Sequence, residues 1–149
     1  MPGGAAMTDL ERAAIRDQCR QVLADYAIAV DGADADAMVA CFTADGVLAR
    51  GSLVLRGAAE LPRVLEGRAP GNVMRHLLAT QSVSVAPDGR SARALCYYVL
   101  YSAAGEDEPL PMPEPFSLGD WNCELADTGQ GWKLARLEIR RRFARPRPQ

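Results

Sequence analysis

VMRHLLATQSVSV (residues 73–85), ARALCYYVLYS (92–102), LGDWNCEL (118–125) and WKLARLEIRRRF (132–143) follow one another at the C-terminal end of the chain. They are rich in β-branched and aromatic residues. Pro87-Asp88-Gly89 and the stretch Asp127 to Gly131 separate them with turn chemistry, so they read as strands of an antiparallel meander. GEDEPLPMPEPFS (105–117) holds four prolines and four acids and cannot be a central strand, because proline donates no ladder hydrogen bond. It reads as a surface loop placed to close over a pocket, with Met112 and Phe116 turned toward a ligand.

The N-terminal half carries a different period. Thr8-Asp9-Leu10-Glu11 has capping-box spacing. Ile15, Cys19, Val22, Leu23, Tyr26 and Val30 then recur as one stripe of an amphipathic helix, which Gly32 ends. Asp34 caps a short second helix expected to bury Met38, Cys41 and Phe42 before a turn at Asp45-Gly46. Val47–Arg50 and Leu53–Leu55 flank Gly51-Ser52 as a hairpin. A third helix with Leu61, Val64 and Leu65 on its apolar side tolerates Pro62 in its first turn. Helix, helix, hairpin, helix and four strands define an α+β fold: a curved, mostly antiparallel sheet with three N-terminal helices on its concave face. The expected boundaries are a flexible tail at 1–7, one domain at 8–144 and a C-terminal tail at 145–149.

Composition narrows the function. The chain of 149 residues suits one core, with 48% hydrophobic and 24% charged residues. Its 17 basic and 19 acidic residues leave a net charge of -2, which argues against nucleic acid as a partner. No apolar run is long enough for a membrane span, and MPGGAAMTDL lacks the features of a signal peptide, so a cytoplasmic location is expected. Cys19, Cys41, Cys96 and Cys123 have no paired spacing, and His76 is the single histidine, so neither a metal nor a cofactor is expected.

Few side chains remain for chemistry. Tyr26 and Asp31 lie five residues apart, roughly 140° around a helix, so both reach one pocket only if the helix ends near Val30. Beside Asp31, the His76 imidazole would be held in one tautomer and its protonated form stabilised. On local sequence alone Asp31 also reads as a helix cap, His76 as a hydrogen-bonded strand residue and Tyr26 as core. Strand alternation sets Leu137, Ile139, Arg141 and Phe143 on one face, making Arg141 the better pocket candidate among the late arginines, although a solvated basic edge fits equally.

YAIAVDGADADAMVACFTADGV (26–47), RG (56–57), RHLLAT (75–80), ARALCYYVLY (92–101), GDWNCEL (119–125) and GWKLARLEI (131–139), in this order, resemble the nuclear transport factor 2-like superfamily, in its SnoaL-like, scytalone dehydratase-like branch. The resemblance covers nearly the whole chain. It implies a cone-shaped fold with an apolar pocket, usually in a dimer or higher oligomer. It also implies an acid–base dyad, which falls here on Asp31 and His76, with a preceding tyrosine at Tyr26. Tyr98, Trp121, Arg141, Met112 and Phe116 complete the candidate substrate-contacting set. The chain departs from the family pattern at Cys123, Thr80 and Leu137, where an acid, an asparagine and an arginine often stand. The implied function is cofactor-free proton transfer on a small apolar carbonyl compound, with a polyketide or other secondary-metabolite cyclase or dehydratase leading. The alternative is a non-catalytic ligand-binding or assembly subunit, like the small subunit of ring-hydroxylating oxygenases.

Overall fold

A computed structural model describes residues 6–146. The expected tails at 1–7 and 145–149 lie largely outside those residues. Helix α1 spans Asp9–Asp31, α2 Ala35–Ala40 and α3 Gly57–Glu60; the strands are β1 Phe42–Arg50, β2 Leu53–Arg56, β3 Asn72–Val85, β4 Ser91–Ala104, β5 Ser117–Asp127 and β6 Trp132–Ala144. The six strands form one open sheet in the order β2-β1-β6-β5-β4-β3. Pairing is antiparallel throughout except between β1 and β6, which run parallel.

Helix α1 begins on the capping box: the Thr8 hydroxyl accepts from the Glu11 amide at 3.2 Å, and the Glu11 carboxylate accepts from the Thr8 amide at 2.8 Å. Its stripe buries Cys19, Leu23, Tyr26, Ala27 and Val30 against the inner face of the sheet, chiefly over β3. That face supplies Leu48, Cys96, Tyr98, Trp121, Cys123, Leu125, Leu134 and Leu137, and the two sets form one core. No helix among the described residues is long and apolar enough to cross a membrane.

Three local expectations are corrected. Phe42 is not in the second helix but opens β1, paired to Leu134. Asp45-Gly46 is correspondingly an irregularity inside that strand rather than a turn before it, since the register with β6 shifts between Phe42 and Val47. Glycine is required there, because a Cβ on Gly46 would sit 2.8 Å from that of Phe42. The third helix shrinks to one turn, α3, which runs into a 3-10 turn at Leu61–Leu65 with Pro62 at its start. Proline without an amide suits that tight opening, and Leu61 alone of the segment is fully buried.

Candidate active site

Tyr26, Asp31 and His76 are brought together by where α1 ends. The helix stops at Asp31; Gly32 caps it, and Ala33 takes the left-handed turn at φ 54° that sends the chain into α2. Asp31 is thereby released from the helix toward the start of β3. Its Oδ2 accepts from the His76 backbone amide at 2.9 Å, and its Oδ1 lies 2.6 Å from His76 Nδ1. A carboxylate only accepts, so the Nδ1 position carries the proton and Nε2 keeps its lone pair. Both side chains are about 10% exposed, so the pair is shielded without being sealed.

Arg68 holds this junction together, and nothing in its local sequence marks it. Its guanidinium donates to the carbonyls of Val30 (2.7 Å), Asp31 and Asn72 (3.1 Å). The first two are open C-terminal carbonyls of α1 and the third begins β3, so one planar cation ties the end of the helix to the strand that carries His76.

A cavity of about 230 Å³ opens beside the pair, lined by Tyr26, Val30, Val64, Leu65, Met74, His76, Leu100, Phe116, Trp121 and Ile139, with Arg50, Glu66, Arg68, Asn72 and Ser102 as its polar members. Trp121 is the centre of an aromatic cluster: its ring lies 5.3 Å from Tyr26, 5.5 Å from His76 and 5.8 Å from Tyr98. An imidazolium at His76 is within cation–π range of that indole. Burial pushes the Tyr26 phenol above its usual range, with the Arg50 cation pulling back down and Cys123, Cys41 and Asp31 adding to the rise. Tyr26 is therefore a neutral hydrogen-bond donor at any physiological pH.

Of the expected substrate-contacting residues, Phe116 and Trp121 line the cavity, while Tyr98 is buried against His76 at 5.9 Å. Arg141 and Met112 do not reach it. Simple alternation failed on β6 because of a bulge: Gly119 pairs with Arg141 but Leu118 with Phe143, so Arg142 is the extra residue. From Arg140 onward the strand is exposed, and Arg141 borders an outer groove with Gly51 and Ser52. Arg142 instead pairs with Asp120 at 2.7 Å. Met112 is 82% exposed, so the proline-rich loop contributes Phe116 but not its methionine. Arg50 is the residue that sequence reasoning missed; the available signal was an arginine two places after the buried Leu48, on the inward side of β1.

An open sheet wrapped on one long helix, with an acid–histidine pair at the helix end, defines the cone-shaped class of small α+β domains. The SnoaL-like domain profile matches residues 11–138, and the chain belongs to that family. Solved structures agree in fold. A protein of unknown function from Mycobacterium tuberculosis is similar at TM-score 0.74 and 22% identity, over 93% of this chain and 78% of that one. A protein from Novosphingobium aromaticivorans provisionally named a scytalone dehydratase reaches TM-score 0.77 at 16% identity, over 92% and 89%. A hexachlorocyclohexane dehydrochlorinase from Novosphingobium barchaimii reaches 0.76 at 15%, over 93% and 94%. Among curated proteins the sequence finds no significant match.

Proposed function

We propose that this chain is an acid–base enzyme needing no cofactor, acting on a small, mostly apolar carbonyl compound. His76 Nε2 takes a proton from the carbon α to the carbonyl and returns it elsewhere. Asp31 keeps the imidazole in the Nδ1–H tautomer and stabilises the cation formed on proton uptake. Tyr26 donates to the oxygen on which enolate charge develops, within a cavity where low polarity strengthens each interaction. The observation that carries this reading is the two-point hold of Asp31 on His76 at the wall of a cavity.

Dehydration, isomerisation and cyclisation share this first step. Neighbours named as a dehydratase and a dehydrochlorinase support a reaction that begins with proton removal, and a secondary metabolite remains the leading substrate class. The same reading includes a homodimer. The outer face of the sheet presents the row Phe143, Leu118, Val99 and Leu77, beside Tyr97 and Leu95, and a second copy is its proposed cover.

The test uses 1-tetralone in deuterated water, followed by proton NMR. Wild type should speed exchange of the α-protons. His76→Ala should remove at least about a hundredfold of that acceleration and Tyr26→Phe about tenfold or more, as general bases and oxyanion donors typically do. Exchange by His76→Ala at the wild-type rate would refute the proposal.

A further inference from the structure

Arg50 is the one cation in the cavity wall without a protein anion or acceptor. It ends β1, inward-facing and opposite Ile139 of β6, and among the described residues its side chain joins no ion pair and donates no hydrogen bond. The other charges at the cavity are committed. Asp31 holds His76; Arg68 is spent on three carbonyls; Glu66 pairs with Arg63 at 3.6 Å on the exposed rim. Arg50 and His76 come from strands with three others between them, so they face the cavity from different walls.

A second observation lies beside it. The buried indole N–H of Trp121, in the same wall, has no acceptor in the protein. Buried donors are nearly always paired, so this one is kept for something that enters the cavity. Trp121 pairs with Ile139, which pairs in turn with Arg50, so the unpaired N–H and the free guanidinium belong to neighbouring strands of one row.

We propose that Arg50, aided by the Trp121 N–H, anchors a carboxylate on the substrate, making this a site for single-ring organic acids. A guanidinium presents two parallel N–H groups that match the two oxygens of a carboxylate, and the apolar walls between Arg50 and His76 take the ring. The volume of about 230 Å³ falls below the roughly 300–1,000 Å³ of ordinary ligand sites, which fits one ring rather than a fused polycycle. Anchored at Arg50, the acid presents its far end to His76.

This rests on the cavity being the substrate site, but its readout is binding and needs no turnover, so it stands or falls apart from the proton-transfer reading. The probes are benzoate and its neutral isostere benzamide, titrated into the full chain by calorimetry, with the ring NMR signals of His76 reporting where they bind. Benzoate should bind wild type at least about tenfold more tightly than benzamide, the scale of a charge-assisted hydrogen bond. Arg50→Met should erase that preference while leaving benzamide binding unchanged, and Arg50→Lys should keep part of it. The comparison of the two probes on wild type holds even where a variant folds poorly. Equal affinity of wild type for both, no binding of benzoate, or benzoate binding that leaves His76 unperturbed overturns the assignment.

Discussion

Replacing Arg68 with methionine tests what positions the acid–histidine pair. The substitution keeps an apolar stem and deletes three hydrogen bonds to the carbonyls of Val30, Asp31 and Asn72. Hydrogen bonds to a charged group contribute about 1.5–3 kcal/mol each, but Arg68 is only half-buried and water can replace it at those carbonyls, so a net loss of about 2–3 kcal/mol is expected. At about 2–4 °C per kcal/mol for a chain of this size, the melting temperature should fall by roughly 5–10 °C. Stability alone does not separate a general brace from a positioning residue, so the assay adds amide hydrogen exchange. The His76 amide, held by Asp31 Oδ2 at 2.9 Å, should lose protection, whereas the Leu134 amide, bonded to the Cys41 carbonyl at 2.8 Å, should lose far less. Arg68→Lys, a single point donor, should fall between the two proteins. An unchanged melting temperature with an unchanged His76 amide refutes the reasoning.

Three further outcomes are expected. Thr80 is a β-branched residue at φ 41°, where β3 bulges opposite β4, so Thr80→Asn should raise stability by about 0.5–1 kcal/mol in urea unfolding, and a loss would show that its hydroxyl or methyl contributes more than the strain costs. Burial pushes the Cys19 and Cys96 thiols up to about 11 from 9.0, so the unfolded chain ionises first: their stabilisation is complete below pH 9 and lost as pH rises toward 11, and Cys96→Ala should flatten that decline in melting temperature. Light scattering should give about twice 16.0 kDa for wild type, and Leu77→Glu, in the middle of the exposed apolar row at 52% exposure, should halve it; a wild-type monomer at micromolar concentration contradicts the proposed pairing.

Local pattern was enough wherever neighbours in sequence decide the structure. The capping box, the α1 stripe and the four late strands all follow from side chains within a few residues of one another. What escaped reading depends on distant partners. Phe42 belongs to a strand because β6, some ninety residues later, pairs with it in parallel, and no alternation in CFTADGV announces that. Arg141 was set on the wrong side by one bulged residue, since a shift of one reverses every side chain beyond it. Asp31 and His76 were reached through family resemblance together with the expected end of the helix at Gly32. Arg68 and Arg50 were missed because an arginine's reach hides its target: one closes a helix end from 37 residues away, and the other is an inward charge on a short strand.

His76 is the single histidine of the chain, so its imidazole can be observed without assignment. Nitrogen-15 NMR of the ring at neutral pH measures directly which nitrogen holds the proton. The account predicts a neutral ring protonated at Nδ1, with a lone pair on Nε2 free for a substrate proton, and loss of that preference in Asp31→Asn. A ring protonated at Nε2 in the wild-type protein would contradict it, because the nitrogen facing the cavity would then have no lone pair with which to act as a base.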